Sequence, residues 1–117
     1  MHTHLSENLK EIEWVKELFP ERANYLDVYD HHGLLSERSV FAHSIHLCDS
    51  ECQRLADTGS AVAFCPTSNL FLGFGLLDVP RLEAFGINVG MGTDVGAGTC
   101  FSLLSTMNEA YKVLQLQ

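Results

Sequence analysis

Two rhythms of apolar and polar positions alternate along this chain. Short segments bounded by turn residues read as strands: Met1 to Leu5, Ser39 to Ala42, Ala61 to Phe64 and Asn88 to Met91. Between them the spacing turns helical. Asn8 with Glu11 three residues later forms a capping pattern, and Leu9, Ile12, Val15, Leu18 and Phe19 follow at helical intervals until Pro20 stops them. A second helical piece runs from Tyr25 to His32 and ends at Gly33, a residue suited to the left-handed cap. Ser50 with Gln53 offers another capping pattern, for a helix through Ala56 that Gly59 closes. Pro66, Ser68, Asn69, Gly73 and Gly75 read as one loop of turn residues. Pro80 suits the first turn of a helix that ends near Gly86, and a last helix is expected from Phe101 toward Gln117.

A strand followed by helix, repeated four times, predicts α/β architecture with parallel strands and right-handed crossovers. Four such units are half of a (β/α)8 barrel, which needs about 250 residues in full. They would also serve an open doubly wound sheet. Either way the 117 residues make a single partial or complete domain, with no linker and no low-complexity tract.

Charge and cysteine usage narrow the function. The net charge of -8, from 15 acidic against 7 basic residues, repels a phosphate backbone, so a nucleic-acid polymer is not an expected partner. No apolar run approaches the roughly 20 residues needed to span a bilayer, and no membrane partner is expected. Cys48, Cys52, Cys65 and Cys100 form no C-x-x-C pair and are expected to be reduced, buried thiols of a cytoplasmic protein.

The polar residues capable of chemistry gather where each predicted strand ends: His4 and Glu7, His43 and His46, Ser68 and Asn69, Thr93 and Asp94. Parallel β/α units bring all those ends to one face, so the groups converge. Metal-assisted hydrolysis fits the set, because zinc takes imidazole nitrogen and carboxylate oxygen and leaves a position for water. His4 and Asp94 are the candidate ligands, Glu7 the candidate general base, and His43 a group to hold the nucleophile or the developing charge. Structural roles compete with each assignment. Glu7 also suits a first-turn acid favoured by the helix dipole, and Asp94 an Asx-turn in a glycine-rich loop. His46 fits a site-lining or a helix-capping role equally, His31 and His32 suit a helix C-terminus, and His2 has nothing upstream to fix it.

THLSEN at residues 3–8, VFAHSIHL at 40–47, CPTSN at 65–69 and GMGTD at 90–94 resemble the amidohydrolase superfamily, and NLFLGFGL with DVGAGTCFSLL points more narrowly to its purine-deaminating members. The resemblance implies a (β/α)8 barrel with one zinc ion that hydrolyses an exocyclic amino group from a small purine. It also implies that this chain supplies strands five to eight. Carried over residue by residue, His4 would be the fifth-strand zinc ligand, Glu7 the proton shuttle, His43 the sixth-strand histidine, and Asp94 the eighth-strand aspartate on zinc. His4, Glu7, His43 and Asp94 would all face the substrate. The opening HTH resembles the family's first-strand ligand pair in spelling only, since the LSE after it matches the fifth-strand motif.

Half a barrel leaves two strand edges and one face open, so a homo-oligomer is expected, and the chain is expected to be a fragment with little activity of its own. Two rivals remain at this point: an amidohydrolase acting on a different heterocycle, including a chlorohydrolase, and a non-catalytic β/α module.

Overall fold

The computed structural model describes all residues 1–117. Strands β1 (His2–Leu5), β2 (Val40–His43), β3 (Ala61–Phe64) and β4 (Asn88–Met91) alternate with helices α1 (Leu9–Leu18), α2 (Tyr25–His31), α3 (Asp49–Asp57), α4 (Pro66–Leu72), α5 (Val79–Ala84) and α6 (Leu103–Leu114). The strands pair in parallel in the order β1-β2-β3-β4. A doubly wound sheet reverses its strand order at a switch point. This sheet advances one neighbour at a time, which is the order of an opened barrel.

Strand alternation decides where the core lies. Leu5, Phe41, Val62 and Phe64 point into the helical layer and are at most 1% exposed, where they meet Leu26, Leu55 and Leu82. The opposite face carries His4, Ala42, Ala63 and Gly90 in one register row across all four strands. That row is small apart from the imidazole, and it borders a groove of about 210 Å3 lined by His2, His4, Val40 and Ala63 among others.

Local chemistry accounts for the helix limits. Asn8 caps α1 by accepting from the Glu11 N–H, and the Glu11 carboxylate reaches back to the Glu7 N–H at 3.0 Å. Asn24 caps α2 and Asp78 caps α5 in the same manner, while Gly33 and Gly73 close α2 and α4 with φ of +67° and +69°. The bidentate Arg54–Asp30 pair, 2.8 Å on its Nη2 side, joins α3 to α2.

Three sequence expectations change. The third helix begins at Asp49, capped by Glu51 accepting from the Cys48 N–H at 2.9 Å, so the Ser50 and Gln53 pattern does not mark its start. The turn-rich segment after β3 contains a helix, α4, because Pro66 presets its first turn and Ser68 and Asn69 are buried rather than solvated. Of the cysteines, only Cys52 and Cys65 are buried; Cys48 is exposed and Cys100 partly so, and all four are unpaired. No helix is long and apolar enough to cross a membrane.

Candidate active site

Three strand ends bend abruptly into the same space. The non-glycine residues with positive φ are Ser6 (+46°), His43 (+69°), Ser44 (+51°) and Asp94 (+47°). Such conformations cost on the order of 1–3 kcal/mol each and persist where packing over-determines them. All four flank or form one cluster, which marks it as the place where the fold concentrates backbone strain.

His43 is the centre of that cluster. Its ring is fully buried; Nδ1 lies 3.0 Å from Asn69 Oδ1 and 3.6 Å from Glu7 Oε1, and Nε2 lies 3.9 Å from Asp94 Oδ2. Nε2 has no hydrogen-bond partner. His4 approaches edge-on, with ring centroids 5.0 Å apart and planes at 78°. One ligand atom each from His4, His43 and Asp94 lies within 4.8 Å of the others. Two imidazoles and a carboxylate around a buried nitrogen without a protein partner make a donor set that fits a borderline divalent metal. His43, expected beside the metal rather than among its ligands, is thus as close to the group as His4 and Asp94.

The competing structural roles can be weighed directly. Glu7 precedes the Asn8 cap and lies outside the first turn of α1, where the acid is Glu11. Its backbone is pinned by Glu11 and its carboxylate is left to face His43. Around Asp94 the turn is closed by backbone, with the Gly98 N–H donating to the Asp94 carbonyl, so the carboxylate is free for His43 Nε2. The Thr67 hydroxyl holds the preceding carbonyl, Thr93, at 3.3 Å. Cys65 lies in the same neighbourhood with its thiol pushed up to about 11 by burial and by the Asp94 charge, which keeps it protonated and out of the chemistry at neutral pH.

Other candidates fall elsewhere. His46 donates from Nε2 to the Phe74 carbonyl at 2.9 Å, tying the β2 loop to the end of α4; it neither joins the metal group nor caps α3. His2 is exposed on the open face outside the group, and His31 and His32 pack edge-on at the end of α2. Ser68 and Asn69 are both fully buried, with Ser68 Oγ and Asn69 Nδ2 unpartnered. The direct contact of Asn69 with His43 is not anticipated from the sequence. A polar Ser-Asn pair straight after an apolar strand was the available signal. A separate cavity of about 240 Å3 between α1 and α2, lined by Ile12, Val15, Phe19 and Arg22 among others, lies behind the strand ends and contains none of His4, His43 and Asp94.

A parallel sheet in barrel order, with histidine and acid side chains converging at the carboxyl ends of its strands, has the layout on which barrel proteins build their active sites. The Amidohydrolase family matches residues 1–117, and the chain belongs to that family. It is 56% identical to the guanine deaminase of Escherichia coli K12 over its whole length, covering 27% of that protein. The solved E. coli structure superposes with a TM-score of 0.98 at 57% identity, over 99% of this chain and 27% of the other. Guanine deaminase from C. acetobutylicum with bound guanine in its active site gives 0.95 at 36% identity, over 98% and 28%. An adenosine deaminase from Xanthomonas campestris with bound zinc gives 0.88 at 26%, over 98% and 26%. The chain therefore spans about a quarter of the length of the curated relatives it matches.

Proposed function

We propose that this chain is the part of a zinc-dependent guanine deaminase that contributes strands five to eight of the barrel, and that the complete enzyme hydrolyses guanine to xanthine and ammonia. The observation that carries the reading is the clamp on His43: the Glu7 and Asp94 carboxylates stand at opposite nitrogens of one buried ring, 3.6 and 3.9 Å away, with His4 beside them. The guanine deaminases among its relatives support the choice of substrate.

His4 and Asp94 would hold the zinc, with His43 next to them. When bound, zinc would lower the pKa of a water molecule toward neutrality. Glu7 would take one proton of the attacking water on its carboxylate and hand it to the ring nitrogen, which keeps it; the same carboxylate would then carry the second, from the hydroxyl now on the carbon, to the amino group, so that ammonia leaves as the carbonyl forms. His43 would hold the developing charge at the carbon under attack. The remaining zinc ligands and much of the purine pocket would come from strands outside this chain.

Comparing ammonia release by the complete enzyme from guanine, adenosine derivatives, cytosine and triazines tests the reading. Guanine is expected to lead by orders of magnitude in kcat/KM; preference for another ring would assign the chain to a different deaminase or a chlorohydrolase of the family. A cytosolic setting fits the four unpaired thiols. On its own the chain has one-sided strands at β1 and β4, and two copies are expected to associate along them. A compact monomer by light scattering would refute that association.

A further inference from the structure

The tautomer of His43 follows from what surrounds its ring. Nδ1 faces two oxygens, Asn69 Oδ1 at 3.0 Å and Glu7 Oε1 at 3.6 Å. An amide can be turned to present either end, so the Asn69 contact alone would allow its Nδ2 to donate to an unprotonated Nδ1. In that orientation the Glu7 carboxylate would face the Nδ1 lone pair of a fully buried ring, negative against negative. With Oδ1 turned inward, the N–H bonds to Asn69 Oδ1 and points its positive end toward the Glu7 carboxylate 3.6 Å away. The rival pull on the proton is Asp94 Oδ2, which at 3.9 Å from Nε2 lies beyond hydrogen-bond range and is the weaker of the two.

From this arrangement we infer that Asn69 is a positioning residue: its amide oxygen fixes His43 as the Nδ1–H tautomer, so that the unpartnered Nε2 offers a lone pair to the space shared with His4 and Asp94. Burial makes the device rigid. His43 and Asn69 are both 0% exposed, and Asn69 is carried on α4, a helix that Pro66 and Gly73 delimit at its two ends. The same lone pair can take a proton or a cation, and in either use the ring arrives already aimed. The inference rests on the hydrolase reading for its purpose but not for its test.

Nitrogen-15 spectra of histidine-labelled, metal-free complete enzyme, recorded where the ring is neutral, read the tautomer. The expected pattern for His43 is a pyrrole-type Nδ1 and a pyridine-type Nε2 in the wild type and in Asn69→Asp, whose carboxylate still accepts from Nδ1. Asn69→Leu is expected to mix the two tautomers and to reduce kcat by about 10–100-fold with KM within about twofold, as loss of an orienting partner does, while Asn69→Asp recovers most of the loss. An Nε2–H signal in the wild type, or an unchanged tautomer in Asn69→Leu, overturns the inference. Should Asn69→Leu fail to fold, the wild type and Asn69→Asp decide the matter, since an Nε2–H form in either one overturns it. A wild-type enzyme that releases no ammonia from guanine would remove the functional reading and leave the tautomer result standing.

Discussion

Gly98 offers a sharp test of how Asp94 is held. It lies four residues beyond Asp94, and its N–H closes the turn by donating to the Asp94 carbonyl. A Cβ placed there would collide with the Thr93 carbonyl oxygen and come within 2.9 Å of that of Asp94 and 3.0 Å of Thr67 Oγ1. Ordinary contact begins at 3.4 Å, so the Asp94 carbonyl must retreat by about 0.5 Å and that of Thr93 by more. Both flank the peptide that aims the Asp94 side chain, which is poised 3.9 Å from His43 Nε2. A displacement of about 1 Å at a reacting group costs on the order of 100-fold in rate, and the overpacking itself about 1–3 kcal/mol. Gly98→Ala in the complete enzyme is therefore expected to lose about two decades of kcat for guanine, with a lowered Tm. Gly33→Ala is the control: nothing lies within 4 Å of its Cβ, and only left-handed strain of about 1–2 kcal/mol is expected, with kcat unchanged. Wild-type kcat in Gly98→Ala would show that the turn does not locate Asp94, and an equal loss in Gly33→Ala would trace the effect to stability.

Replacing Glu7 by Gln removes the proposed proton acceptor and keeps its shape; kcat of the complete enzyme should fall by about 10²–10⁴-fold with an unaltered circular-dichroism spectrum, and full activity would take Glu7 out of the mechanism. Asp30 has its carboxyl held below the usual range by the hydrogen bonds from Arg54. A depressed carboxylate stabilises the fold above its unfolded value of about 3.9 and ceases to do so as pH falls through the folded value. Unfolding midpoints should consequently drop more steeply below about pH 4 in the wild type than in Arg54→Met, and parallel curves would contradict the linkage. In the folded 117-residue chain, iodoacetamide should modify exposed Cys48, and Cys100, whose thiol is lowered by the Ser102 N–H, well before buried Cys52 and Cys65, both of which burial raises. Early labelling of Cys65 by peptide mass spectrometry would argue against its raised pKa.

Elements with a strong apolar signal and a clear stop were legible in the sequence. Ala61–Phe64 and Asn88–Met91 are strands with the expected bounds, and α1 begins at the anticipated Asn8 cap. Convergence at the strand ends was also legible, because parallel β/α connectivity leaves the side chains there no other face. What escaped was set by tertiary contact. Pro66, Ser68 and Asn69 have the composition of a turn, yet burial against His43 makes their backbone helical. The third helix starts two residues earlier than its hydroxyl pattern suggests, capped at Cys48 rather than Ser50, because a glutamate carboxylate satisfies the Cys48 N–H. Positive φ at His43 and Asp94 is only faintly marked in the sequence, by residue types that tolerate the left-handed region better than most; packing of three strand ends onto one point enforces it.

The row His4, Ala42, Ala63 and Gly90 crosses all four strands on the side away from the packed helical layer. Three of its four members carry one methyl or none, so in a closed barrel this half would leave room for bulkier side chains from the other strands to fill the interior. A methyl added at Ala42 or Ala63, both of which border the groove beside the imidazole, would then be felt across the seam, by the half of the barrel that this chain does not supply.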